Sequence, residues 1–304
     1  MISSNCLIFD IKRFAISDGP EIRTTIFFKG CPLKCPWCHN PEGISFRQEF
    51  FWRRTKCSEC NECIRICPHG YDPKDVKRLN EKFEECLNCR KCVDICPTGA
   101  ITIIGKEIEL ADLIELISRD IDYYADSGGV TFSGGEPLAH MSYLQRALEE
   151  CKRIGVNTCI ETSGFCSKED LLLIIDYVDF FMFDLKLANK EESQRVIGAN
   201  IDKIVENLNI ITSEKKCVLR LPMIRDLTDT KENIELLLAI LRQIPNKKNL
   251  SRVELLPYHK LGESKYICLG KETLKVFEPS TESNLNCIKE KISSLNYNVS
   301  IERF

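Results

Sequence analysis

The distribution of cysteine constrains this chain more than any other feature. Cysteine supplies 18 of the 304 residues, and eleven of these lie between positions 31 and 96. Chains this rich in cysteine are usually either short, secreted and disulfide-linked, or metal-binding proteins of a reducing compartment. This chain is long, and its N-terminal segment MISSNCLIFDIKRF lacks the basic, apolar and small-residue order of a signal peptide. We therefore expect the clustered cysteines to be metal ligands and the protein to be cytoplasmic.

Two of the cysteine groups share the spacing C-x2-C-x2-C-x3-C-P. In bacterial ferredoxins this run supplies three ligands to one [4Fe–4S] cluster and a fourth ligand to the neighbouring cluster. The pattern predicts two clusters, with ligand sets Cys57, Cys60, Cys63 and Cys96 for one and Cys86, Cys89, Cys92 and Cys67 for the other. Zinc is the alternative, although structural zinc sites usually take two separated C-x2-C pairs.

Residues 48–106 thus resemble a two-cluster ferredoxin domain in length and in cysteine spacing. The two halves differ after the fourth cysteine, since PHGYDPKD follows Cys67 whereas PTGAI follows Cys96. We therefore expect three segments, with boundaries at 1–47, 48–106 and 107–304.

The third cysteine group, C-x3-C-x2-C, consists of Cys31, Cys35 and Cys38. Three thiolates leave one iron of a cluster without a protein ligand, and an open metal position can bind a substrate, as in catalytic zinc sites. With Trp37 before the last cysteine, the motif resembles that of the radical S-adenosylmethionine (SAM) superfamily. In that superfamily the open iron chelates the amino and carboxylate groups of SAM. Half of a zinc site, or a fortuitous triplet, is the alternative interpretation.

Composition argues against two classes of partner. The chain has 42 basic and 45 acidic residues, a net charge of −3, and so has no basic excess for binding phosphates. No apolar run reaches the roughly 18 residues of a membrane span. We therefore expect neither a nucleic-acid nor a membrane partner.

The remaining cysteines are isolated and are expected to be buried and inert; they are Cys6, Cys151, Cys159, Cys166, Cys217, Cys268 and Cys287.

Strand and helix patterns alternate along the rest of the chain, which implies parallel strands joined by right-handed crossovers. We count six or seven such strands, fewer than the eight of a closed barrel. The expected fold is α/β, a partial (β/α)6-type radical SAM barrel with the ferredoxin-like domain inserted after its first strand. Active sites of such barrels lie at the carboxyl ends of the strands. The polar residues expected there are Ser133, Glu136, Glu161, Thr162, Asp184, Lys186, Arg220, Tyr258 and His259.

Several longer segments narrow the resemblance to one family. The segments are DGPEIRTTIFFKGCPLKCPWCHNPE, GGVTFSGGEPL, ETSG, DLK and LLPYHKLGESKY, which together span nearly the whole chain. They resemble the activating enzymes of glycyl radical enzymes, and in particular the sub-group that carries a two-cluster ferredoxin-like insert. The chain departs from the family at Glu21, where the family usually has glycine in a loop near the partner enzyme.

This resemblance implies roles for individual residues. Cys31, Cys35 and Cys38 would hold the catalytic cluster. The residues that would contact SAM are Trp37, Cys38, His39, Gly134, Gly135, Glu136, Asp184, Leu185, Lys186, Arg220 and His259. The positions that match a monovalent-cation site in the formate-lyase activator are Glu161, Thr162, Met182 and Asp184, although the family member has aspartate in place of Glu161.

The resemblance also implies the reaction. A flavodoxin or ferredoxin would donate an electron, SAM would be cleaved reductively, and the resulting 5′-deoxyadenosyl radical would abstract hydrogen from a backbone glycine of a partner glycyl radical enzyme. The alternatives are a radical SAM enzyme acting on a small molecule, or a ferredoxin-type electron-transfer protein. The second of these does not account for the three-cysteine motif or for the SGGEP segment.

Overall fold

One open sheet of nine strands forms the frame of the molecule. The structure, a computed structural model, describes residues 5–271 and 276–303. The sheet order is β11-β10-β9-β8-β7-β6-β2-β1-β5, and β3 and β4 form a separate two-stranded sheet. The strands are β1 (Asn5–Ala15), β2 (Arg23–Phe28), β3 (Glu49–Trp52), β4 (Ile101–Ile104), β5 (Lys106–Glu109), β6 (Gly129–Gly134), β7 (Asn157–Thr162), β8 (Phe180–Asp184), β9 (Lys216–Met223), β10 (Leu250–Pro257) and β11 (Val299–Ile301).

Seven of the nine strands are parallel, namely β2 and β6 to β11. They are the seven strands that the sequence pattern predicts, and the sheet does not close, so the partial-barrel prediction is confirmed. Two antiparallel strands, β1 and β5, extend the sheet beyond β2. No strand is predicted at β1, and the apolar spacing of residues 105–128 predicts a helix that would include β5. The helical pattern begins at Leu110, whereas the four residues before it pair with the start of β1.

Twelve α-helices lie in the described residues. The first four belong to the segment between β3 and β4, and most of the others connect the parallel strands and cover the convex face of the sheet. Their bounds are α1 (Glu62–Ile66), α2 (Val76–Glu81), α3 (Phe83–Cys89), α4 (Lys91–Asp94), α5 (Leu110–Ser118), α6 (Met141–Arg153), α7 (Lys168–Ile174), α8 (Lys190–Glu192), α9 (Ile201–Glu214), α10 (Lys231–Arg242), α11 (Glu263–Cys268) and α12 (Glu282–Ser293). Polar side chains fix several helix starts by accepting a free backbone N–H of the first turn. Ser167 does this for α7, Thr230 for α10 and Thr281 for α12.

Side chains alternate between the two faces of the parallel strands. On β6, Val130 and Phe132 belong to the main hydrophobic core beneath the helices. Thr131 and Ser133, one residue out of phase, lie on the concave face. The same alternation places Glu161, Asp184 and Arg220 on the concave face, so the parallel strands have an apolar outer side and a polar inner side.

The segment between β2 and β6 contains a small unit with its own core. Strands β3 and β4 pair in an antiparallel way, and α1 to α4 lie between them in the chain. A separate hydrophobic cluster includes Phe50, Val76, Leu79, Phe83 and Ile101. This unit, here called the insert, runs from β3 to β4, and Lys106 already belongs to β5 of the main sheet. The bounds 48–106 stay a prediction.

All 18 cysteines are free thiols in the structure. Of the seven isolated ones, Cys6, Cys151, Cys159 and Cys217 are buried as expected. Cys287 is exposed, because it lies on the outer face of α12.

None of the helices in the described ranges combines the length and the apolar character that crossing a bilayer requires.

Candidate active site

A cavity of about 270 Å³ opens at the carboxyl ends of the parallel strands. Ligands of open α/β sheets bind at this edge because loops from neighbouring strands meet there. The cavity is lined by the three-cysteine loop after β2 and by residues from the ends of β6, β7, β8, β9 and β10. The polar and cysteine residues among them are Cys31, Cys35, Cys38, His39, Asn40, Ser133, Glu136, Glu161, Thr162, Ser163, Asp184, Lys186, Arg220, Tyr258 and His259.

Backbone hydrogen bonds hold the three-cysteine loop in place. The Gly30 amide donates to the carbonyl of Gly43 at 2.8 Å, and the Cys31 amide donates to the carbonyl of Ile44 at 3.0 Å. Cys35 is buried, whereas Cys31 and Cys38 are half-buried. The described lining residues include these three cysteines and no fourth one, so the donor set fits a cluster with one open iron.

Gly134, the last residue of β6, and Gly135 after it let this segment lie close to the end of β2 and the start of the three-cysteine loop. A Cβ on Gly134, whose φ is +110°, would lie 2.4 Å from the Phe28 nitrogen. A Cβ on Gly135 would lie 2.3 Å from the Gly30 carbonyl oxygen. The protein's own backbone therefore occupies the space that a side chain at either position would need.

Glu136 is a fully buried carboxylate that organises the loop after β7. It accepts hydrogen bonds from the Thr162 hydroxyl at 2.6 Å and from the Ser163 amide at 2.9 Å. The Leu138 amide donates to it as well, at 3.2 Å. Burial raises the pKa of Glu136, and these donors oppose that rise. Glu136 therefore connects the ends of β6 and β7 at the wall of the cavity.

A charged network crosses the cavity floor at the ends of β7, β8 and β9. The guanidinium of Arg220 pairs with Glu161 and, through Nε at 2.6 Å, with Asp184 Oδ1. Lys186 Nζ lies 3.2 Å from Asp184 Oδ2. Burial alone would raise the pKa of Asp184, but Arg220 and Lys186 bring it below its usual value. Asp184 is therefore ionised at neutral pH.

Two histidines stack on the opposite side of the cavity. The ring centroids of His39 and His259 are 3.8 Å apart. Burial, together with the nearby His259, lowers the pKa of His39 to about 4, so that its ring is neutral at physiological pH. Its Nε2 atom is buried without a hydrogen-bond partner in the structure. A neutral imidazole offers one donor and one acceptor to a bound molecule.

Most residues that the sequence analysis assigned to the site do line this cavity, including Trp37, which also contacts Phe277 edge-to-face. Two do not. Leu185 lies in the main hydrophobic core, and Met182 is 6% exposed and is not a lining residue. The structure adds Asn40, Ser163, Pro222 and Leu256 to the lining. Pro222 was predictable in principle, since it follows Arg220 by two residues on one strand.

The eight cysteines of the insert surround two much smaller cavities. One is lined by Cys57, Cys60, Cys63 and Cys96, and the other by Cys67, Cys86, Cys89 and Cys92. Each cavity thus combines three cysteines of one run with the last cysteine of the other run. This is the crossed grouping that the spacing predicts.

The two halves of the insert also repeat the same backbone turns. Asn61 and Arg90 occupy equivalent places between the second and third cysteine of each run, and both have left-handed φ, at 60° and 52°. Gly70 and Gly99, three residues after each fourth cysteine, are left-handed too, at 66° and 60°. Within residues 5–271 and 276–303, no three His, Cys, Asp or Glu side chains converge where one metal ion would bind. The ligands of a [4Fe–4S] cluster need not converge in this way, because each binds a different iron.

Comparison with known proteins assigns the family. The profile of the radical SAM superfamily matches residues 25–238. The choline trimethylamine-lyase activating enzyme of Oleidesulfovibrio alaskensis is 35% identical over 100% of both chains. The trans-4-hydroxy-L-proline dehydratase activating enzyme of Clostridioides difficile is 36% identical over 98% of this chain and 99% of that one. The 4-hydroxyphenylacetate decarboxylase activating enzyme of the same species is 36% identical over 88% of this chain and 86% of that one.

The chain is therefore a radical SAM protein, a class that uses SAM and a [4Fe–4S] cluster. Within that class it belongs to the family of glycyl radical enzyme activating enzymes. Both levels of the resemblance drawn from the sequence motifs are confirmed. A plain electron-transfer protein is no longer a competing interpretation, because it does not account for membership of an enzyme family.

Proposed function

We propose that this protein activates a partner glycyl radical enzyme. When bound, the catalytic cluster and SAM supply a 5′-deoxyadenosyl radical, which takes a hydrogen atom from a backbone glycine of the partner. The observation that carries the proposal is the meeting of the three-cysteine loop with charged side chains from successive strand ends around one cavity. The 18 free thiols fit a reducing, cytoplasmic setting.

The residues of the cavity divide into a metal-binding side and a SAM-orienting side. Cys31, Cys35 and Cys38 hold the catalytic cluster through their thiolates. Lys186 and Arg220 provide the cationic groups that attract the carboxylate of SAM. Other contacts come from the Gly134–Gly135 backbone, Glu136, Asp184, Trp37, His39 and His259.

The polar residues of the proposed monovalent-cation site are already engaged by other side chains. Both of its carboxylates, Glu161 and Asp184, already pair with Arg220. Thr162 donates its hydroxyl to Glu136, and Met182 does not line the cavity. The guanidinium of Arg220 therefore supplies the positive charge that a cation would bring to these two carboxylates.

The insert is proposed to hold two further [4Fe–4S] clusters, which makes three in the whole chain. The crossed grouping of cysteines around two cavities and the repeated left-handed turns support this assignment. The clusters would accept electrons from a flavodoxin or a ferredoxin. The three named relatives serve different enzymes at 35% to 36% identity, so identity favours none of these partners.

Electron paramagnetic resonance with the cognate partner tests the function. The reduced protein with SAM should give the partner a glycine-centred doublet, and deuterium placed at that glycine α-carbon should appear in 5′-deoxyadenosine. Cys35→Ala should abolish both SAM cleavage and the doublet, because the catalytic cluster loses one of its three ligands. Cys287→Ala, at an exposed cysteine outside the site, is the matched control and should behave as wild type.

Two results would contradict the proposal. One is a wild-type rate of 5′-deoxyadenosine release from Cys35→Ala. The other is a cognate partner that stays radical-free while a small metabolite exchanges deuterium with 5′-deoxyadenosine, which would identify a radical SAM enzyme acting on a small molecule.

A further inference from the structure

A fully buried lysine lies beside the catalytic loop and takes no part in the proposed site. Lys29 is the second residue before Cys31, and its side chain is 0% exposed. Its Nζ donates to Glu49 Oε2 at 2.8 Å and to the Glu42 carbonyl at 2.7 Å. An ammonium group is rarely buried to this degree unless it is paired, so Glu49 is essential to its placement.

Both ends of the insert meet at this lysine. Glu49 is the first residue of β3, where the chain enters the insert, and Gly105 follows β4, where the chain leaves it. A Cβ on Gly105 would lie 2.8 Å from Lys29 Cδ. The Gln48 amide group donates to the Gly105 carbonyl at 2.6 Å, which ties the entering and leaving segments together. The stem of Lys29 therefore packs against the two crossings between barrel and insert.

The carboxylates of Glu42 and Glu49 also bind the segment around α11. Lys271 Nζ lies 2.8 Å from the second oxygen of Glu49, and Lys265 Nζ lies 2.7 Å from Glu42 Oε1. Glu42 belongs to the loop that follows the three catalytic cysteines. Asn80 on α2 of the insert donates to the Leu269 carbonyl at 3.2 Å. The α11 segment is thus fixed to the catalytic loop and to the insert at once.

We propose that these five residues, Lys29, Glu42, Glu49, Lys265 and Lys271, form an ionic junction that positions the insert relative to the catalytic loop. They are positioning residues, since none of them contacts SAM or a cluster in the proposed site. The inference rests on the proposed function, in which a low-potential flavodoxin or ferredoxin loses one electron for each SAM cleaved. Because the rate of electron transfer falls steeply with distance, a looser junction slows delivery from the insert without altering SAM binding.

Lys29→Met and Lys271→Met test the junction in the fully loaded protein. The second variant is the milder one, because Lys271 is 35% exposed and Glu49 keeps its contact with Lys29. Both variants should retain the iron content and the KM for SAM of the wild type. The kcat for SAM cleavage with a flavodoxin donor should fall at least fivefold. Lys190→Met, which removes an exposed ion pair with Asp202, is the control and should leave kcat unchanged.

Electron paramagnetic resonance supplies a readout that does not depend on turnover. In the fully reduced wild type, magnetic coupling between the catalytic cluster and the nearer insert cluster should broaden the signals. Both junction variants should lose part of this broadening. Wild-type broadening and wild-type kcat in both variants would overturn the junction. A wild-type protein that holds the iron of only one cluster would contradict the proposed insert clusters, and the junction with them.

Discussion

At the scale of single residues, Glu21 in the loop between β1 and β2 and Arg23 at the start of β2 are both in unusual conformations or environments. Glu21 has a left-handed φ of 55°, a conformation that glycine adopts without strain. Arg23 is completely buried, and its hydrogen bonds go to hydroxyl, amide and carbonyl oxygens rather than to a carboxylate. Glu21 therefore bears on stability through its backbone conformation, and Arg23 through side-chain hydrogen bonds that lie outside the cavity.

Glu21→Gly should stabilise the protein by about 0.5–1 kcal/mol. The left-handed conformation costs a non-glycine residue roughly 1–2 kcal/mol, and glycine removes this cost. Part of the stabilisation is lost again because glycine increases the conformational entropy of the unfolded chain. Urea denaturation measures the change. SAM cleavage without a partner should not alter, and a changed yield of glycyl radical would place this loop at the docking surface. Ile22→Gly, at a neighbour without positive φ, is the control and should be destabilising. A loss of stability in Glu21→Gly would contradict the expectation.

Arg23→Met should lower the free energy of unfolding by about 3 kcal/mol, since it leaves the carbonyls of Pro20 and Ser127 without the guanidinium donor that they share. The same urea experiment, followed by circular dichroism, measures this loss. Arg303→Met removes an exposed pair with Glu282 and should change stability by less than about 0.5 kcal/mol. If the two variants were equally stable, Arg23 would not hold this loop.

At the scale of elements, the features that depend on local residue spacing could be predicted from the sequence, whereas those that depend on contacts between distant residues could not. The seven parallel strands and the polar residues at their ends follow from short patterns that repeat along the chain. The pairing of Arg220 with both Glu161 and Asp184 does not, because it joins three strands that are far apart in sequence. The strand β1 was missed for a similar reason, since only its two neighbours in the sheet define it.

The crossed ligation of the insert clusters can be tested by counting iron in two double variants. Cys57→Ala with Cys96→Ala changes two thiols of one cavity, so one cluster should be lost and about eight of about twelve iron atoms should remain. Cys57→Ala with Cys67→Ala changes one thiol in each cavity, so both clusters should be impaired and about four iron atoms should remain. If each cluster instead took all four ligands from one C-x2-C-x2-C-x3-C run, the two iron counts would be exchanged between the two double variants.

The network around Arg220 predicts that SAM cleavage does not require a monovalent cation. Since a guanidinium already neutralises Glu161 and Asp184, replacing potassium with sodium or with a bulky organic cation should change kcat less than twofold. Steady-state cleavage assays at constant ionic strength measure this. Arg220→Met should abolish SAM cleavage, because it removes the guanidinium that both neutralises Glu161 and Asp184 and attracts the carboxylate of SAM. Activity of the wild type that appears only with potassium or sodium would restore the cation site.

At the scale of the whole molecule, the barrel and the insert differ in how they are stabilised. The barrel has a large continuous core beneath its helices. The insert has seven buried hydrophobic residues in a separate cluster, and two of them, Cys63 and Cys86, are proposed metal ligands. Domains of about 60 residues with small cores commonly need metal or disulfide support, and metal binding contributes directly to their folding free energy.

Anaerobic removal of iron should therefore unfold the insert and leave the barrel folded. Hydrogen exchange read by mass spectrometry should show protection in β3, β4 and α1 to α4 falling at least about tenfold, while β7 to β9 stay protected, because their hydrogen bonds lie in the main sheet. The Cys35→Ala protein loaded with its insert clusters is the control, since it lacks only the catalytic cluster and its insert should remain protected. If iron removal left the insert as protected as the barrel, the core around Phe50 and Phe83 would be sufficient to fold it, and the clusters would serve electron transfer alone.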